Sequence, residues 1–365
     1  MRKIAFLAIS EAHQVFHWLP GALCLARDFG VEVSVLSPSR AMRDFIASYD
    51  KDGLLEMVRL RKPLFSPDSL FRLPSRLAVL LLNYRRIASY RYIATTEVSS
   101  AHLRKMPGFS SRMIHLKHGA GDREGGYKLR HGAYDLTLVM GEKDKERMIE
   151  RGLVTNANCK VTGYSKFELM AEPQRFFSND LPVVLFNPHF DRKLSSWQTH
   201  GREILRCLET ITDLNFIIAP HVKMSAESSA VHTDARHIRF DLGSRHSIDM
   251  SYTNSADLYL GDVSSQVYEF IRRPRPCIFL NLDRIEWRHD PNFMHWHLGQ
   301  VVEDLEQLPS ALKRAGAVQK RFEAAQKNAL THSVSVTNIP ASRRQAEAIV
   351  EFMDGNEAAE EKTAG

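Results

Sequence analysis

Four short stretches of this 365-residue chain carry side chains able to act on a phosphate or a hydroxyl. In residues 257–270 a short apolar run, Leu258 to Leu260, ends at Gly261-Asp262, and Ser264 and Ser265 then open a helix over Gln266–Arg272 that carries Tyr268, Glu269 and Phe270. A strand feeding a helix through Gly, Asp and Ser leaves backbone N–H groups and a positive dipole end at the strand's carboxyl edge, which suits a phosphate. An ordinary serine cap would use the same residues. His118-Gly119 follows a second apolar run ending at Lys117, where glycine lets a ligand approach the backbone and the imidazole can take a proton from an attacking hydroxyl. Asn187-Pro188-His189 and Pro220-His221, with Lys223, follow two further runs. Histidines at successive strand ends of one sheet would converge on one ligand, and either could neutralise a pyrophosphate.

Other polar clusters read less sharply. Glu11, His13 and His17 lie in the loop after the first apolar run, where a ligand can lie or where they are simply solvated. The cluster Arg288-His289-Asp290 through His295-Trp296-His297 fits no metal-ligand spacing and reads as an acceptor-side loop. No Asp-X-Asp stands where it would hold a divalent ion, so a metal-independent mechanism without a cofactor is expected.

These residues need strand ends to position them. Lys3–Ser10, helix 19–29 and Val31–Ser37 form a β-α-β opening, and strand-like runs recur at Tyr92–Thr95, Met113–Lys117, Leu136–Met140 and Lys160–Thr162. After a linker near 166–182 come strand Val183–Asn187, helix 198–210, and strands Asn215–Ala219, His237–Phe240, Asp257–Leu260 and Cys277–Asn281. The expected architecture is α/β, with two Rossmann-like domains whose parallel sheets face a central cleft. Expected boundaries are 1–165 for an acceptor-side domain, 166–335 for a nucleotide-donor domain, 336–354 for a bracing helix and 355–365 for a disordered tail.

Composition narrows the partners. Hydrophobic residues make up 44% and charged residues 25%, as in a globular protein. The apolar run Ile4–Ile9 is short for a signal peptide, and Leu77–Leu82 is far below the roughly 20 residues that span a bilayer. Four isolated cysteines suggest neither zinc nor a redox dithiol. The expectation is a cytoplasmic protein. A net charge of +6 points to anionic ligands or surfaces. With no zinc finger and no aromatic–basic RNA signature, nucleic acid is not expected. Residues 59–92 alternate Arg59, Arg61, Lys62, Arg72, Arg76, Arg85, Arg86 and Arg91 with Leu64, Phe65, Leu70, Phe71, Leu77 and Leu80–Leu82. Such a segment can lie on an anionic membrane face, or be a core helix with a solvated basic side.

Taken in order, these elements resemble the CDP-glycerol glycerophosphotransferases of teichoic-acid and capsule synthesis, which have the GT-B glycosyltransferase fold. The matching pieces, over roughly 110–310, are His118-Gly119, Asp135 to Gly141, Val161-Thr162-Gly163-Tyr164, Val184 to Pro188, Pro220-His221, Ala256 to Ser265 and Pro276-Cys277-Ile278-Phe279. The chain departs from the family at Ala120-Gly121-Asp122, at His189 where threonine is usual, and at Gly261. The resemblance implies His118 as base on the acceptor hydroxyl, with His13 and Gly119 on the acceptor side. It places the donor's phosphates on His221, Ser264 and Ser265, with His189 beside them and Asp262 ordering the loop. His221 thereby joins His118 as a catalytic residue, and Glu269 falls where related enzymes bind the nucleotide ribose. The implied reaction transfers glycerol phosphate, or a related polyol phosphate or sugar, from a nucleotide-activated donor to a lipid-linked or polysaccharide acceptor. Alternatives are a UDP-N-acetylglucosamine 2-epimerase-like enzyme, which would need carboxylates such as Glu11 and Asp122 for proton transfer, a nucleotide-sugar glycosyltransferase, or a non-catalytic nucleotide-binding module.

Overall fold

Strands such as Ile4-Ala5-Phe6-Leu7, Tyr92-Ile93-Ala94 and Val184-Leu185-Phe186 are apolar on both faces, the pattern of strands covered by helices above and below. All of them are buried and every strand pairing is parallel. The structure, a computed structural model, describes residues 2–70, 73–220, 224 and 232–364. One sheet holds β1 (Lys3–Leu7), β2 (Glu32–Ser37), β3 (Leu55–Arg59), β4 (Tyr92–Thr95), β5 (Arg112–Leu116), β6 (Leu136–Val139) and β7 (Cys159–Val161), in the order β3-β2-β1-β4-β5-β6-β7. The other holds β8 (Val183–Asn187), β9 (Asn215–Ile218), β10 (Ile238–Phe240), β11 (Leu258–Gly261), β12 (Cys277–Leu280) and β13 (Gln300–Val302), in the order β10-β9-β8-β11-β12-β13. In each sheet the order reverses beside the first strand, so chains leave β1 and β4, and likewise β8 and β11, toward opposite sides. Such a reversal, outside the carboxyl ends of the strands, is the place where sheets of this kind take ligands.

The chain divides into two compact units. The first comprises residues up to His118, Tyr127–Leu169 and the chain from His332 onward. The second comprises Gly119–Gly126 and Met170–Thr331. The division differs from the expected boundaries because eight residues after His118 join the second unit and the carboxyl-terminal segment returns to the first. The linker expected near 166–182 is tied to the second unit from Ala171 on: the Ala171 N–H donates to the Asp249 carbonyl at 2.9 Å, and Asn254 Nδ2 donates to the Ala171 carbonyl at 2.8 Å.

Helix Leu19–Phe29 starts with Pro20 in its first turn and stops at Gly30, whose φ of 62° closes the end in the left-handed region. It packs against the final helix, Ala341–Ala364, where Gly21 leaves room for Gln345. Gln345 Nε2 donates to the His17 carbonyl at 3.0 Å and to Ser165 Oγ at 3.2 Å. That helix runs past the expected bracing segment to Ala364, in place of a disordered tail. Ala, Glu and Lys after Asn356 are strong helix formers, and Arg2 pairs with Asp354 at 2.6 Å. In the second unit Ile204, Leu205 and Leu208 of helix Ser196–Glu209 pack with Val184, Phe186, Phe216 and Ile218 of the sheet. Full burial of each such side chain contributes about 1.5–3 kcal/mol.

Within 59–92 the chain forms short helices Arg76–Leu82 and Tyr84–Ile87, with Val79, Leu80 and Ile87 in the core. Leu64, Phe65, Leu77, Leu81 and Leu82 are exposed among Arg59, Arg61, Arg85 and Arg86. Phe71 and Arg72 lie outside the described residues. No described helix is long and apolar enough to cross a membrane.

Candidate functional site

In the second unit Asn187 and Gly261, the last residues of β8 and β11, are register partners, so the two strands deliver their following turns side by side. Asn187 joins three strand ends: its Nδ2 donates to the Ala219 carbonyl at 2.8 Å, and its Oδ1 accepts from Ser264 Oγ at 2.6 Å. Asp262 is buried and accepts from the N–H groups of His189, Val263 and Ser196 at 2.8, 2.6 and 2.9 Å, and from Ser196 Oγ at 3.0 Å. Burial raises its pKa, and these bonds pull the other way. Asp262 therefore shapes the turn and caps helix Ser196–Glu209. The Ser264 hydroxyl also accepts from the Gln266 N–H at 3.3 Å, while Ser265, the helix's first flanking residue, makes no side-chain cap bond. Glu269 is buried in helix Gln266–Phe270. His221 and Lys223 lie outside the described residues.

The segment Gly119–Gly126 lies along this turn. A Cβ on Gly119 would stand 3.3 Å from Ser265 Oγ, and one on Gly121 3.2 Å from Ser265 Cβ; Gly119 also has a φ of 70°. Asp122 is buried and accepts from Tyr268 Oη at 2.9 Å and from the N–H and Nδ1 of His295 at 3.1 and 3.0 Å. His295 Nε2 and Trp296 Nε1 both donate to the Asp262 carbonyl, at 3.0 and 2.7 Å. The segment expected as an acceptor-side loop thus buttresses the turn from within, with His295 and Trp296 both bound to the Asp262 carbonyl. Among the described residues no three His, Cys, Asp or Glu side chains gather as a metal site.

One group here, Arg123, carries no signal in the reading above. Arg123 follows Asp122, with Nη1 2.6 Å from His189 Nε2 and Nη2 3.4 Å from Asp191 Oδ2. His189 Nδ1 accepts from the Asp191 N–H at 2.9 Å. A basic residue inside the glycine-rich run after His118 is the trace that could have singled out Arg123.

In the first unit the reversal between β1 and β4 is joined in the same manner. Ser10 Oγ and Thr96 Oγ1 are 3.2 Å apart, and Thr96 Oγ1 donates to Gln14 Oε1 at 3.0 Å. His118 Nδ1 lies 2.8 Å from the Thr96 carbonyl. A carbonyl only accepts, so Nδ1 carries the proton and the Nε2 lone pair is available. Burial lowers the His118 pKa to about 4; the Thr96 bond opposes this, and Lys117 adds to it. His13 and His17 each lie 6.3 Å from His118 between ring centroids. His17 is held well below its ordinary pKa by burial, then by Lys166. Glu11 Oε2 is engaged by Arg76 at 2.5 Å and Gln14 at 3.0 Å. Lys117 forms a buried ion pair with Asp144 at 3.0 Å, and Tyr127 Oη donates to Asp144 at 2.6 Å.

Solved structures align along nearly the whole chain. The wall teichoic acid polymerase TagF shares 14% identity over 98% of this chain and 90% of its own, with a TM-score of 0.65. S. aureus MnaA, solved with UDP, shares 12% over 97% of each chain, with a TM-score of 0.67. A UDP-GlcNAc 2-epimerase from Neisseria meningitidis, solved with UDP-GlcNAc, shares 11% over 97% of this chain and 99% of its own, with a TM-score of 0.66. The fold is GT-B. At these identities the likeness is one of fold. No protein-family model and no curated protein matches the sequence.

Proposed function

We propose that the protein is a transferase moving glycerol phosphate, or a related polyol phosphate or sugar, from a CDP- or other nucleotide-activated donor to a membrane-linked or cell-surface polymer. The observation that carries this reading is His118: a neutral imidazole with its tautomer fixed by the Thr96 carbonyl, ready to take a proton from an acceptor hydroxyl at Nε2. His13 and Gly119 are assigned to the acceptor. The donor's phosphates are assigned to the turn of the second unit, with Ser264, Ser265 and His189 as ligands, Asp262 as its organiser, His221 as a second catalytic residue and Glu269 toward the ribose. Charge building on the departing nucleotide is met there by hydroxyl and amide donors. In transfer of a polyol phosphate the acceptor oxygen attacks phosphorus and the nucleoside monophosphate leaves; in sugar transfer it attacks the anomeric carbon, whose bond to the nucleotide's phosphate oxygen breaks as the nucleotide leaves.

The carboxylates favour transfer over epimerisation. Asp122 is occupied by Tyr268 and His295, and Glu11 by Arg76 and Gln14, so neither is placed to shuttle a proton at a sugar carbon. The exposed leucines and Phe65 among arginines in 59–92 support peripheral contact with an anionic membrane carrying the acceptor. A thermal-shift screen with CDP-glycerol, CDP-ribitol, UDP-sugars, GDP-sugars and CMP-sugars tests the donor. At a hundred times its dissociation constant the true donor stabilises the native state by about 2.7 kcal/mol. Stabilisation by CDP-polyols alone supports polyol phosphate transfer. A response to UDP-N-acetylglucosamine alone moves the assignment to a sugar transferase or epimerase, and silence from the whole panel overturns it.

A further inference from the structure

The end of β4 in the first unit carries a polar turn that the proposed chemistry does not use. Its residue types repeat the order found after β11: Glu97-Val98-Ser99-Ser100 beside Asp262-Val263-Ser264-Ser265. In the second unit the acid binds backbone N–H groups, and Ser264 Oγ donates to Asn187 instead. In the first unit the acid takes the serines. Glu97 is buried, and its carboxylate accepts from the Ser99 and Ser100 N–H groups at 2.5 and 3.1 Å, from both of their hydroxyls, and from Thr95 Oγ1 at 3.3 Å. This turn is therefore closed on its own carboxylate.

The consequence falls on the peptide group before it. A peptide unit is planar, so the direction of the Thr96 carbonyl is set by the residues on its two sides. On one side Thr96 Oγ1 donates to Gln14 Oε1 at 3.0 Å, and so accepts from Ser10 Oγ at 3.2 Å; all three side chains are buried. On the other side the Glu97 N–H donates to Thr95 Oγ1 at 3.4 Å, and the Glu97 carbonyl accepts from Tyr134 Oη at 2.9 Å. Strand β4 lies between β1 and β5, which puts Thr96 between Ser10 and His118. The carbonyl that receives His118 Nδ1–H at 2.8 Å is thus held from both ends.

We propose that Thr96 and Glu97 are positioning residues for His118, their side chains holding the Thr96 carbonyl where it keeps the imidazole proton on Nδ1 and the lone pair on Nε2. The inference rests on the reading of His118 as base on the acceptor hydroxyl and names what makes it one, since a neutral ring protonated on Nε2 has no lone pair there to take a second proton. Thr96→Val removes, at nearly the same shape, the hydroxyl that meets Ser10 and Gln14. Glu97→Gln turns one accepting oxygen into a donor that faces the N–H of a serine. Each change frees the peptide group to turn and the ring to change tautomer.

The test is ring-nitrogen NMR of the full chain labelled at histidine, with the His118 signals assigned by their loss in His118→Asn. At neutral pH, well above the His118 pKa of about 4, the parent is expected to show Nδ1–H at this ring. His237, whose Nε2 lies 3.2 Å from the Leu208 carbonyl, gives the opposite pattern as an internal reference. In Thr96→Val and Glu97→Gln the ratio of Nδ1–H to Nε2–H at His118 is expected to fall about tenfold or more, the scale of one hydrogen bond, with His237 unmoved. Thr96→Ser, which keeps the hydroxyl, should restore the parent pattern. If Glu97→Gln does not fold, Ser99→Ala with Ser100→Ala tests Glu97, because it strips two donors from a carboxylate left in place. Release of CMP from CDP-glycerol, with a lipid-linked glycerol phosphate as acceptor, should fall in kcat in proportion to the Nδ1–H fraction, with the donor KM unchanged. A parent-like His118 pattern in folded Thr96→Val and in the Glu97 variants overturns the proposal while the transferase reading stands. A changed pattern with kcat unaltered supports the positioning and removes His118 as the base. Nε2–H at His118 in the parent overturns both.

Discussion

Lowering pH should loosen the first unit through His118 by an amount that one substitution can isolate. The ring's pKa falls from an ordinary 6.5 to about 4 in the folded chain because burial disfavours its charged form. The unfolded chain therefore binds the proton first, and between pH 6.5 and 4 stability rises with pH. Above 6.5 both states are neutral and His118 exerts no pH-dependent effect. As pH falls through the window it costs about 1.4 kcal/mol at pH 5.5 and about 2.5 kcal/mol at pH 4.5 relative to pH 8. His17 and His115, also held well below their ordinary range by burial, push the same way, so the slope of the parent alone does not single out His118. His118→Asn keeps an N–H donor near the position of Nδ1 and removes the titration. Amide hydrogen exchange in β5, corrected for the intrinsic pH dependence, gives the opening free energy of this unit in both proteins. The parent is expected to lose about 2.5 kcal/mol more than the variant between pH 7.5 and 4.5. Parallel pH curves for the two proteins would refute the reasoning, because they would mean that the ring titrates alike in folded and unfolded chains.

Lys117→Met should destabilise the first unit by about 3–5 kcal/mol by leaving the buried Asp144 carboxylate without its cation. Lys117→Met combined with Asp144→Leu should recover most of that loss in urea denaturation, and a double variant as unstable as the single would count against the pairing. Replacing Leu77, Leu81 and Leu82 with Gln should reduce sedimentation with vesicles rich in phosphatidylglycerol without lowering the melting temperature, since these side chains are exposed. Equal sedimentation of parent and variant removes the membrane contact.

The parallel strands were legible because each is a local property: an apolar run such as Val183–Asn187 states its own burial. The short strands Leu55–Arg59 and Gln300–Val302 carry no such run because Glu56, Arg59 and Gln300 break the pattern, and sheet neighbours complete the pairing. The final helix also outran its expected end. There the low apolar content read as a tail, while helix propensity and the Arg2–Asp354 pair extend the helix.

The site divides along the same line. Sequence determined which residue types stand at strand ends: His118-Gly119, Asn187-Pro188-His189 and Gly261-Asp262-Val263-Ser264, since a strand followed by Gly, Asp or Ser has few other geometries. Tertiary structure alone decided the tautomer of His118, the capture of Asp262 by backbone donors, and the chain from Asp122 to His295, partners 173 residues apart. Several of those bonds end on backbone N–H or carbonyl groups, which every residue carries. No spacing of side chains can announce them until the strands are in register.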